Sequence, residues 1–121
     1  IMEIYIDITF DAARRLPNLP KGHKCSRLHG HTFNLRISLE DKINKETGWV
    51  EDFSEIKKIF TPIYDQLDHS YLNNIKGLEN PTSENIVIWI WKKLKPSLPV
   101  LSSLEIKESS STGCIYKGED A

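Results

Sequence analysis

The stretch HKCSRLHGHTFNLRISLE, residues 23–40, decides how the chain is read. Its second half alternates, with Phe33, Leu35, Ile37 and Leu39 on one side and Thr32, Asn34, Arg36, Ser38 and Glu40 on the other. A period of two marks a half-buried strand, because successive side chains leave a pleated backbone in opposite directions. Its first half carries three of the chain's four histidines and one of its two cysteines. His29 and His31 flank Gly30 and share the odd parity of the apolar residues. A strand continued back through them puts both imidazoles on one face, at the margin of the core. Two neutral imidazoles converging on a point make half of a zinc site, which takes at least three protein ligands. The same spacing also suits solvated or hydrogen-bonded structural histidines. Cys25 lies between Lys24 and Arg27, cations that favour a thiolate, so it reads as a reactive thiol, either a base or a further ligand. An inert buried cysteine is the alternative.

Working outward, residues 2–11 repeat the alternation, with Ile4, Ile6, Ile8 and Phe10 against Tyr5, Asp7, Thr9 and Asp11. Pro17, Pro20 and Gly22 break it and lead into the histidine stretch. Downstream, Thr47-Gly48 reads as a turn and Trp49-Val50 as a short return strand. Asp52 or Ser54 then caps a helix reaching about Leu67, with Phe53, Ile56, Phe60, Ile63 and Leu67 at helical spacing. Pro62 is expected to kink or divide it. After a loop over 70–81, Thr82 caps a second helix, with Glu84 favourable to its dipole. That helix is apolar on nearly every side from Ile86 to Trp91, which predicts burial, and Pro96 and Pro99 end it. Leu104, Ile106 and Glu108 share one side of a further strand, and Gly113 to Lys117 form the last. The order ββααββ predicts an α+β fold: a four-stranded antiparallel sheet with two helices on one face. At 121 residues the chain, 1–121, reads as a single domain with one core.

The totals exclude several function classes. Sixteen basic and 17 acidic residues leave a net charge of −1, so no strong field points to nucleic acid or an anionic membrane. No apolar run has the length of a membrane span, and no basic stretch followed by an apolar one marks a secretory signal. Cys25 and Cys114 are far apart, without a C-x-x-C, which suits a reducing cytoplasm better than a disulfide framework. Cys114, beside Ile115 and Tyr116, reads as core.

Two further positions could carry chemistry. Asp68-His69 follows the first helix, where a carboxylate can fix an imidazole's tautomer and raise its basicity. A solvated helix end, with the histidine favourable to the dipole, fits equally. Glu108 holds the inward parity of its strand, and a buried carboxylate must find a cation or a set of N–H donors. A ligand with a guanidine-like edge would suit it; an alternation that fails at the strand end is the plainer reading.

Taken together, the chain resembles the 6-pyruvoyl-tetrahydropterin synthase family, and within it the bacterial 6-carboxy-5,6,7,8-tetrahydropterin synthase branch. The resemblance runs through T-F-D-A-A at 9–13, G-H-K-C-S-R-L-H-G-H at 22–31, T-G-W-V-E-D-F at 47–53 and L-D-H-S-Y-L-N at 67–73. It continues through G-L-E-N-P-T-S-E-N at 77–85, K-E at 107–108 and G-C-I-Y-K-G at 113–118. The short gap from Cys25 to His29 resembles the carboxy-forming branch rather than the pyruvoyl-forming one. The resemblance implies the tunnelling fold (T-fold), a homohexamer built as a dimer of trimers, and sites between subunits. It implies a pterin substrate, 7,8-dihydroneopterin triphosphate, converted to 6-carboxytetrahydropterin, acetaldehyde and triphosphate on the way to 7-deazaguanine and queuosine. Carried over by position, Cys25 is the proton acceptor, and Asp68 and His69 relay protons. Glu108 grips the 2-amino-pyrimidinone edge, Thr82, Ser83 and Glu84 help hold the pterin, and His29 and His31 bind zinc.

One position departs from the family pattern. Where the third zinc histidine is expected, in F-x-A-A-H-R-L, this chain reads F-D-A-A-R-R-L, with Arg14 in its place. Arginine has no lone pair to donate and keeps its positive charge. The expectation is much weakened zinc binding on an intact fold. Weak activity or pterin binding without turnover is one consequence, and a substitute ligand such as His23 or Cys25 is another.

Overall fold

The computed structural model describes residues 1–119. Two long strands form its spine, β1 (Met2–Arg14) and β2 (His29–Asp41), paired antiparallel from Met2 opposite Asp41 to Arg14 opposite His29. The chain continues through helix α1 (Phe53–Leu67), a two-residue strand β3 (Ser70–Tyr71), helix α2 (Ser83–Leu94), and strands β4 (Leu101–Lys107) and β5 (Gly113–Tyr116). Across the sheet the order is β3-β1-β2-β4-β5.

The alternations fold as read. Phe10, Phe33, Leu35, Ile37, Leu39, Leu104 and Ile106 are buried against Ile56, Phe60 and Leu67 of α1 and Ile86, Ile90 and Leu94 of α2. Truncating a buried ring such as Phe33 to alanine in such a core costs ~3–5 kcal/mol. The opposite face of the sheet is polar: Arg36 pairs with Asp7 at 2.8 and 3.1 Å and lies 3.7 Å over the Tyr5 ring. Both helix starts carry the expected caps, Asp52 accepting from the Ser54 amide and Thr82 from the Asn85 amide.

Three expectations change. The sheet has five strands rather than four and is mixed, because β3 runs parallel to β1 through Ala12–Ser70 and Ala13–Tyr71. Two residues are too few to show an alternation, and this strand forms because the chain turns back at His69. Trp49-Val50 makes no return strand: Asn44 closes a local loop, its amide donating to the Trp49 carbonyl and its side chain accepting from the Glu46 and Thr47 amides. Helix α1 runs unbroken through Pro62, whose missing N–H would have bonded Lys58. Both residues are exposed, so water can satisfy that carbonyl.

Candidate active site

The β1–β2 register builds the centre. Arg14 lies opposite His29, Ala12 opposite His31 and Phe10 opposite Phe33, so these side chains share the helix-covered face. The His29 and His31 rings meet edge to face at 4.9 Å, and the Arg14 guanidinium lies 5.0 Å over the Phe33 ring. Arg14 is only 2% exposed, the largest fully buried side chain. Its Nη1 donates to the Pro81 carbonyl at 2.9 Å, just before α2, and its Nη2 pairs with Glu108 Oε1. Ser83, in the first turn of α2, donates its hydroxyl to the same oxygen at 2.5 Å. Glu108 stands one residue past the end of β4, half-buried rather than buried, and its inward parity finds a cation.

These contacts decide the protonation states. Burial alone would raise the Glu108 carboxyl, but the Ser83 hydroxyl and the Arg14 guanidinium outweigh it and hold the group below its ordinary value. His31 moves down, first through burial and then through the charge of Arg14, which favours the neutral imidazole.

A second group forms where α1 ends. Asp68 is the C-cap of α1, and His69 follows in the left-handed region at φ 57°, an unusual conformation outside glycine. That turn brings the imidazole back onto its neighbour, with Nδ1 2.7 Å from Asp68 Oδ2. Asp68 Oδ1 accepts from the Asp11 amide at 3.0 Å, and the His69 amide donates to the Asp11 carbonyl at 2.6 Å. The Asp11 amide and the His69 imidazole therefore lower the Asp68 carboxyl, while hydrogen bonding and charge from Asp68 raise His69. His69 and His31 line one cleft of about 600 Å³ together with Asp11, Thr32 and Tyr71. One exposed imidazole paired to a carboxylate and one half-buried neutral imidazole thus face a common space, an arrangement suited to moving protons.

The other expected residues are placed as follows. Ser83, Glu84 and Glu108 line a second cleft, of about 180 Å³, with Gly113 and Cys114. A Cβ on Gly113 would lie 2.6 Å from the Ile106 carbonyl oxygen, so this wall of the cleft requires glycine. Thr82 is used as the cap of α2. Cys25 sits half-buried on a 3-10 turn, its carbonyl accepting from the Leu16 amide and its own amide donating to His23 Nδ1. Its thiol lines neither cleft. Cys114 packs against the core, and burial pushes its thiol up to about 11, so it is unreactive. Asp11, Thr32 and Tyr71 were not singled out from sequence. Thr32 donates to Asp11 Oδ1 at 2.5 Å, a link visible only once the strand register is known.

Zinc is the group that the sequence resemblance implies. His29 suits it in part: Nδ1 lies 2.7 Å from the Arg27 carbonyl, a contact that requires the proton there and, in the neutral ring a metal would bind, leaves the Nε2 lone pair free. That Nε2 is buried and, among the described residues, has no hydrogen-bond partner. The donor set stops at two imidazoles, however, and among the described residues no group of three His, Cys, Asp or Glu side chains is placed to hold a metal. Opposite His29 stands a permanent cation. The residues present do not fit a zinc site built on three protein ligands.

The comparisons with known proteins agree with this architecture. The chain is 42% identical to the 6-carboxy-5,6,7,8-tetrahydropterin synthase of Synechocystis over 93% of its own length and 91% of the relative's. It is 41% identical to the dihydroneopterin monophosphate aldolase of Pyrococcus furiosus, over 75% of the chain and 73% of that protein. The solved 6-pyruvoyl tetrahydropterin synthase of Caenorhabditis elegans superposes with a TM-score of 0.89 at 27% identity, covering 98% of this chain and 96% of that one. A family model for 6-pyruvoyl tetrahydropterin synthase matches residues 3–119, and the chain belongs to that family.

Proposed function

We propose that the chain catalyses the 6-carboxy-5,6,7,8-tetrahydropterin synthase reaction, converting 7,8-dihydroneopterin triphosphate to 6-carboxytetrahydropterin, acetaldehyde and triphosphate. The observation that carries the reading is the Glu108 carboxylate. Arg14 and Ser83 both donate to Oε1, and among the described residues Oε2 accepts no hydrogen bond. An ionised carboxylate held at one oxygen presents the other to an N–H donor, such as the 2-amino edge of a pterin. Ser83 and Glu84, on the wall of the same cleft, help hold the ring, with Thr82 fixing the start of the helix that carries them. In the larger cleft the His69–Asp68 pair donates and accepts protons as the substrate's side chain rearranges; Cys25, whose thiol lines neither cleft of the single chain, serves as the proton acceptor where a subunit border brings it to the substrate. The 42% identity to a relative bearing this activity supports the assignment. We assign the step to the cytoplasm, on a route towards queuosine; two cysteines without a C-x-x-C suit that reducing compartment.

Assembly follows the same reasoning. The edge of β1 below Ala12 and the outer edge of β5 have no neighbouring strand among the described residues. Exposed ladder edges are pairing surfaces. A ring of chains joined edge to edge, stacked as a homohexamer, would cover both and bring sites to the subunit borders.

The test is to incubate the protein with 7,8-dihydroneopterin triphosphate, with and without zinc chloride, and identify the products by mass spectrometry. The expected product is 6-carboxytetrahydropterin with acetaldehyde, lost in Glu108→Ala. A 6-pyruvoyl product, or simple aldol cleavage of the side chain, would assign the chain to another activity of its relatives. Pterin binding without any product would favour a second reading. That reading, a pterin-binding chain with little turnover, has Arg14 among the histidines behind it.

A further inference from the structure

We propose that Arg14 is the resident cation of this site, closing the His29–His31 pair to divalent metal ions. The proposal concerns metal occupancy, so it stands or falls separately from the reaction assigned above. Three observations support it. First, Arg14 and His29 are direct cross-strand partners on one face, which brings a fixed positive charge to the ground an ion held by the two imidazoles would need. Second, the guanidinium is committed. It donates to the Pro81 carbonyl, pairs with Glu108 and lies over the Phe33 ring, at 2% exposure. Swinging it aside to admit an ion would break the pair with Glu108 and strip the buried guanidinium of the Pro81 carbonyl and the Phe33 ring. Third, two buried nitrogens, Arg14 Nε and His29 Nε2, have no hydrogen-bond partner among the described residues. The first is a donor; in the neutral His29 ring, with Nδ1–H donating to the Arg27 carbonyl, the second is a lone pair. Arg14 Nε thus adds a donor, not a third lone pair, beside the two imidazoles.

Arg14 therefore acts in two directions. It repels a metal from the imidazoles, and with Ser83 it fixes Glu108 through Oε1. A single substitution ought to reverse the first effect. With histidine at position 14 the face would carry three imidazoles, the minimum for a protein-held zinc ion.

The experiment uses protein purified without chelator, exposed to zinc chloride, desalted and analysed for metal, with melting temperature recorded with and without zinc. The intact protein is expected to retain far less than one zinc per chain and to melt at the same temperature either way. Arg14→His is expected to retain zinc, to bind it on the order of 100-fold more tightly or better, and to melt higher with zinc than without. Stoichiometric zinc in the unaltered protein overturns the proposal. So does an Arg14→His variant with native circular dichroism that binds zinc no better. Should that variant fail to fold, His29→Ala with His31→Ala in the native background decides. Unchanged metal content and an unchanged zinc response support the proposal, and a fall in retained zinc refutes it.

Discussion

His69 shows how a single backbone angle makes a functional pair. Adjacent residues ordinarily point apart, but the left-handed φ of 57° turns the imidazole onto the carboxylate of Asp68. The side chain is 79% exposed, so the pair adds little to stability and its value lies in proton affinity. The sign is fixed by the two shifts. His69 is raised, so its contribution is complete below 6.5 and disappears as pH rises through the elevated value. Asp68 is lowered, so its contribution is present above 3.8 and disappears as pH falls through the depressed value. A proton NMR titration should therefore place the His69 midpoint above 6.5, and Asp68→Asn should bring it down. A midpoint unmoved by that substitution would show that the carboxylate does not tune the imidazole. At this scale the sequence was most informative about residue types. His29, His31, Asp68, His69 and Glu108 were all identifiable in the chain, whereas Asp11 and Thr32 were not, because their role depends on which strand residue faces which. The ion pair between Arg14 and Glu108, 94 positions apart, was hidden for the same reason.

Among the elements, the long strands were legible because each shows an uninterrupted alternation with one buried face. The helices were legible because their caps are side chains, Asp52 and Thr82, and such a cap contributes about 1 kcal/mol. What escaped was β3, two residues held in place by a turn and by backbone bonds to β1, with no side-chain pattern of its own. The parallel pairing of β3 covers only Ala12 and Ala13, and Asp68 and His69 bond Asp11, which leaves the β1 edge before Asp11 without a neighbouring strand among the described residues. Such an edge on a 13-residue strand is a strong site for pairing with another chain. Light scattering coupled to gel filtration should give a mass that is a multiple of three chains. A monomer would mean that loops or solvent satisfy this edge without a partner.

Over the whole molecule, one sheet face carries the apolar core and both helices, while the site gathers at one end of the β1–β2 pair, where α2 begins and β4 stops. The ends of four elements thus converge on Arg14 and Glu108. A rigid scaffold with its site at element ends holds reacting groups in register, and it allows one substitution to change the metal chemistry while the fold persists. The 0.89 TM-score against the Caenorhabditis elegans enzyme, at 27% identity, is consistent with that division between scaffold and site. The most direct measurement is a crystal structure of the protein grown with neopterin and zinc chloride, with anomalous data at the zinc edge. The pterin's amino edge is expected on Glu108 Oε2, with Arg14 still on Oε1 and no anomalous peak between His29 and His31. A zinc ion bound by those two imidazoles, with Arg14 swung clear of Glu108, would contradict it.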